Sequence, residues 1–100
     1  MNPKYQEFKS ILFNKEEFFK NIDFEVSIQY SNPAISFNEN FFFKDCSHPI
    51  FTSVIHQCIE YGYEKTREAY NSGYSRDVNV LKDIWYDSFI AMLIENGVKK

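Results

Sequence analysis

Histidine, cysteine and glycine are scarce in this chain: two, two and three among 100 residues. Most catalytic and cofactor sites are built from such residues, as acid–base groups, nucleophiles, metal ligands and phosphate-cradling loops. Their scarcity points away from chemistry. A long apolar run is also missing. The longest, Phe89 to Ile94, is far too short to span a bilayer, which removes a membrane partner. Met1 to Lys20 mixes charges of both signs with apolar residues and so lacks the apolar core of a signal peptide. Cys46 and Cys58 make no disulfide framework. With no export signal, free thiols in a reducing, cytoplasmic compartment are expected. An excess of positive charge is lacking as well. The net charge is −3, without the clustered Lys and Arg that displace counterions from nucleic acid, so no direct nucleic-acid partner is expected. The negative charge is too weak for a duplex-DNA mimic.

What the chain has in quantity is aromatic bulk. Nineteen residues are Phe, Tyr or Trp, the side chains that fill cores and anchor interfaces. One hundred residues suit a single domain (1–100) with a core of its own. A hydrophobic fraction of 44% with 25% charged residues is ordinary globular composition. The abundance of Phe, Tyr, Ile, Asn and Lys matches what AT-rich genes encode, common among phage and mobile-element cargo.

The expected fold class is α+β: an N-terminal helical segment, an antiparallel β-hairpin, then two long antiparallel helices packed on it. Asn2 and Pro3 read as a helix start. Tyr5, Phe8, Leu12, Phe19 and Ile22 fall on one helical face, with Ile11 and Phe18 beside it. Asn14, followed by Glu16 and Glu17, is placed to cap a second short helix, so the segment is one helix or two joined at Phe13–Asn14. From Phe24 the period drops to two. Phe24, Val26, Ile28 and Tyr30 alternate with polar residues, Ser31-Asn32-Pro33 reads as the turn, and Ile35, Phe37, Phe41 and Phe43 mark a second strand. Glu39, out of phase, suggests a bulge.

Asp45 to Pro49 punctuates the chain, with Ser47 or His48 as cap. Phe51, Val54, Ile55, Cys58, Ile59, Gly62, Thr66, Ala69 and Tyr70 then define a long amphipathic helix ended by Gly73. Ser75 is expected to open the last helix, with Asp77 in its first turn. Leu81, Ile84, Trp85, Phe89, Met92 and Leu93 form its stripe, and Phe89 to Ile94 reads as the most buried stretch. Asn96-Gly97 closes it, with Lys99 and Lys100 suiting its C-terminus.

Cys46-x-His48 and His56-x-Cys58 supply four zinc-type ligands. Residues two apart on a helix point roughly 200° apart, so His56 and Cys58 are badly placed to share an ion, and Cys58 lies on the apolar stripe as a small hydrophobe. Cys46 with His48 or His56 as base would make a thiol nucleophile, but no oxyanion loop accompanies it. Neither metal, cofactor nor catalytic residue is therefore assigned.

The remaining candidates are for binding. Glu60, Glu64 and Glu68 recur every fourth residue, and Asp83 and Asp87 share that spacing on the next helix. The Glu-x-x-His pairs of di-iron bundles are missing, which leaves a solvated face or an acidic patch for a basic partner. Lys65 and Arg67 are expected to project elsewhere. Tyr61, Tyr63, Tyr70 and Tyr74 cluster around the run, either as interface anchors or as the edge of the core. Among Phe41 to Phe43, adjacent strand residues face opposite sides. Either both faces are covered, or Phe42 is exposed and seeks a partner, a second copy included.

In size, charge and layout the chain resembles some phage-encoded inhibitors and some bacterial toxin-immunity proteins. That outline implies a non-enzymatic binding protein that occludes a basic, nucleic-acid-handling partner such as a toxin or nuclease, through Glu60, Tyr61, Tyr63, Glu64, Glu68, Tyr70, Tyr74 and Phe42. A phage inhibitor of a host defence or replication protein is the alternative within this class. A structural or regulatory homodimer through the hairpin edge or the helices is the second class, and a small enzyme using Cys46, His48 or His56 the third.

Overall fold

In the computed structural model, residues 9–38 and 49–98 are described. Residues 9–12 are helical, and the chain breaks at Phe13–Asn14, so the N-terminal segment is two helical pieces. Asn14 takes an extended backbone and its Oδ1 accepts the Glu17 N–H at 3.2 Å, capping helix α1, Lys15–Ile22. Glu16 and Glu17 in the first turn and Lys20 in the last oppose the helix dipole correctly. Asp23, in the left-handed region at φ 50°, ends the helix. Phe18 and Ile22 are its fully buried residues.

Strands β1, Glu25–Gln29, and β2, Asn32–Ser36, pair antiparallel, with Val26 opposite Ile35 and Gln29 opposite Asn32. The turn is therefore Tyr30–Ser31, both left-handed at φ 53° and 62°. It does not lie at Ser31-Asn32-Pro33. A two-residue turn with both residues at positive φ matches the twist of the strands it joins, and Pro33 is tolerated as the second residue of β2 because its missing N–H lies on the side away from β1. The core face of the hairpin holds Phe24, Val26, Pro33, Ile35 and Phe37, all buried or partly buried. Ile28 shares that face, and Tyr30 lies in the turn beyond it. They are 39% and 97% exposed, against the expectation of burial.

Helices α2, Pro49–Asn71, and α3, Val78–Glu95, pack on each other, with β2 along α2 and β1 along α3. Gly73 (φ 80°) and Gly97 (φ 89°) end them with paired bonds: the N–H of Tyr74 to the Ala69 carbonyl, and that of Val98 to the Leu93 carbonyl, both at 3.0 Å. The cap of α3 is Asp77, whose carboxylate accepts the Asn79 N–H at 2.8 Å. Ser75, expected to open the helix, instead accepts the Asp77 N–H through its hydroxyl at 3.1 Å.

Trp85 is the hub of the core. Phe24, Phe89 and Phe18 lie 4.5, 4.8 and 6.0 Å from it, centroid to centroid. Ile55, Cys58, Leu81 and Leu93 are fully buried, while Val54, Ile59 and Met92 are half-buried at the margin. The stretch from Phe89 to Ile94 is not buried all round: Ala91 is exposed and Ile94 is 57% exposed. A helix packed on one side only buries a stripe, whatever its composition. Tyr86, absent from the expected stripe, is buried and donates its hydroxyl to the Leu12 carbonyl at 3.0 Å. Among the described residues no helix is long and apolar enough to cross a membrane. The expectations for Asn2 and Pro3, for Glu39 and Phe41–Phe43, for Asp45 to His48, for the Phe51 side chain and for Lys99 and Lys100 lie outside the described residues.

Candidate functional site

Glu60, Glu64 and Glu68 stand exposed on α2, one turn apart. Four-residue spacing on a 3.6-residue helix drifts only slightly, so the three carboxylates form one row. Tyr61 is half-buried beside them. Tyr74, just past the left-handed Gly73, is 75% exposed at the end of the row.

Lys65 and Arg67 do not project elsewhere. The Lys65 ammonium bonds the Glu68 carboxylate at 3.2 Å and lies 5.4 Å above the Tyr61 ring. Glu68, by that hydrogen bond first and by its charge second, holds the Lys65 pKa above its ordinary value. Arg67 lines a concavity of about 540 Å³ with Glu64, Glu68, Asn71 and Ser72. Five carboxylate and cationic groups thus interleave where a purely acidic strip was expected. Arg67, Asn71 and Ser72 were not among the sequence candidates. Their signal was available in the spacing: Arg67 to Asn71, and Glu64 to Glu68 to Ser72, are steps of four.

The four tyrosines divide. Tyr63 is half-buried, donates its hydroxyl to the Pro33 carbonyl at 3.3 Å, and has the Arg67 guanidinium 5.5 Å from its ring. It ties α2 to β2. Tyr70 is buried, with Arg76 5.4 Å over its ring, so it is a residue of the fold and not an accessible anchor. Tyr61 is half-buried and Tyr74 exposed. Phe42 lies outside the described residues.

The candidate ligands and nucleophiles also separate. His56 is exposed and Cys58 fully buried on α2. Burial pushes the Cys58 thiol from about 9 up to about 11, the reverse of what a reactive thiol requires. Asp83 on α3 pairs with Lys15 of α1 at 2.6 Å, away from the glutamate row. Among the described residues no group of three or more His, Cys, Asp or Glu is arranged to hold a metal ion. Comparison of the chain with protein-family models, with curated proteins and with solved structures finds no match.

Proposed function

We propose that this chain is a non-enzymatic, cytoplasmic binding protein that occludes a basic protein partner, docking through the outer face of α2. One observation carries the proposal: Glu60, Glu64 and Glu68 form an exposed row flanked by half-buried Tyr61 and exposed Tyr74. Carboxylates in a row steer a basic surface into encounter, and tyrosine rings supply contact area at little entropic cost. Arg67 and Lys65, interleaved with them, would set register by rejecting a partner whose charges are misaligned. A toxin neutralised by an immunity protein and a host defence or replication protein inhibited by a phage product make the same demand on this face. Free, inert Cys58 is in keeping with a reducing compartment.

The test pairs affinity capture from the native host with charge reversal. A partner retained by the natural chain should associate more slowly as salt rises, and the Glu60→Lys, Glu64→Lys variant should slow its association by about tenfold or more. Tyr74→Ala should leave association unchanged and speed release. A partner that binds the reversed variant at the same rate across salt concentrations would overturn the assignment of this face.

A further inference from the structure

The hairpin is a two-stranded sheet, so each strand has one edge outside the pair, and the two edges differ chemically. With Tyr30–Ser31 as the turn, Gln29 and Asn32 form the hydrogen-bonded pair that closes it, and bonded and non-bonded pairs alternate from there. Glu25, Ser27 and Gln29 therefore point their backbone N–H and C=O at β2, while Val26 and Ile28 point theirs outward. On β2 the outward residues are Pro33 and Ile35. Pro33 has no N–H to offer, and its carbonyl already accepts the Tyr63 hydroxyl. The β2 edge is blocked at Pro33.

The β1 edge is short and carries one charge, Glu25 at its start, but lacks the other usual protections. It contains no proline and no lysine, and no charged residue occurs from Val26 to Asn38. Among the described residues no hydrogen bond reaches the backbone of Val26 or Ile28. Ile28, on the core face beside this edge, and Tyr30, in the turn, are exposed. The other end of the edge opens on a groove of about 310 Å³ between Phe24 to Ser27 and Val78, Asn79 and Lys82 of α3.

We propose that β1 pairs antiparallel, edge to edge, with β1 of a second copy of this chain, in a register centred on Ser27. Three two-fold registers bring outward groups together. Centring on Val26 sets Ile28 against Phe24, whose N–H is already directed at the Phe19 carbonyl at 3.4 Å. Centring on Ile28 sets Val26 against Tyr30, which has left the strand at φ 53°. Centring on Ser27 sets Val26 opposite Ile28 twice and forms four N–H···O=C bonds. In that register Glu25 meets Gln29 and Ser27 meets its own copy, so no like charges face each other. The resulting four-stranded sheet ends on both sides in the Pro33 edge, so assembly stops at two copies and does not run on into a fibre. The α2 face stays uncovered, and the outcome is independent of what docks there.

Sedimentation equilibrium over a concentration series tests the pairing, with far-UV circular dichroism to check each variant's fold. The natural chain should reach twice its 12.0 kDa mass. Ile28→Pro removes two of the four bonds without touching those to β2, and should raise the dissociation constant about thirtyfold. Ser27→Lys sets two lysines face to face and should raise it about fivefold. Should Ile28→Pro fail to fold, cysteine pairs decide. In a Cys46→Ser background, Ser27→Cys should cross-link into a dimer on mild oxidation, because non-bonded partners sit about 4.5 Å apart at Cα. Gln29→Cys, opposite Glu25, should not. A single-chain mass at every concentration, a dimer indifferent to Ser27→Lys, or equal cross-linking of the two cysteines would each overturn the proposal.

Discussion

Gly62→Ala is the sharpest probe of how the two long helices meet. Gly62 lies inside α2, where alanine is the better helix former by about 1 kcal/mol. On an exposed helix the substitution would stabilise. Here a Cβ would stand 2.9 Å from Cδ1 and Nε1 of Trp85 and 3.0 Å from the Trp85 carbonyl oxygen. None of these atoms can swing away. Trp85 is fully buried among Phe18, Phe24 and Phe89, and the carbonyl belongs to the backbone of α3. Relief requires the helices to part. Overpacking of this kind costs about 1–3 kcal/mol, so after the gain in propensity a net loss of up to about 2 kcal/mol is expected. For a domain of this size that lowers Tm by up to about 16 °C. Urea melts followed by circular dichroism measure the loss. Emission from Trp85, the sole tryptophan, should change with it, since the new methyl presses on that ring. A variant as stable as the parent, with unaltered emission, would refute the close approach of α2 and α3.

Phe89→Ala removes a ring packed on Trp85 and should cost about 3–5 kcal/mol in denaturant melts; a loss under about 1 kcal/mol would mean the core closes without it. Tyr86→Phe leaves the Leu12 carbonyl without its buried donor and should cost about 1–2 kcal/mol, with the helical residues 9–12 exchanging their amide hydrogens faster. Raising the pH should destabilise the fold. Burial raises the Cys58 thiol from about 9 to about 11, so its contribution is complete below pH 9 and is lost as pH climbs through 11, on the order of 2 kcal/mol. Tyr86, also raised, first by burial and then by the charge of Asp87, acts in the same direction at higher pH. A Cys58→Ala chain should show a flatter decline. Ellman's reagent should meanwhile react with Cys58 only as the protein unfolds, and prompt labelling of a folded Cys46→Ser chain would contradict its burial.

What the amino-acid sequence determined by itself is everything carried by neighbours in the chain. Asn14 caps α1 because its side chain reaches an N–H three residues on. Gly73 ends α2 because the left-handed conformation there costs glycine little. The apolar stripes of α2 and α3, with Ile55, Cys58, Trp85 and Phe89 inside, follow from helical period alone, and so does the strand pattern that starts at Phe24. Tertiary structure decided which members of each pattern are covered. Ile28 and Tyr30 continue the apolar alternation of β1, yet both are exposed. Ile94 has the composition of the core yet is 57% exposed. Tyr70 and Tyr74 look alike in sequence; one is buried under Arg76 and the other stands past the end of α2 in solvent. Tyr63 reaches Pro33, and Trp85 reaches Gly62, across separations that no local pattern encodes. Burial depends on what arrives from elsewhere in the chain, so periodicity can nominate a buried face but only packing can fill it.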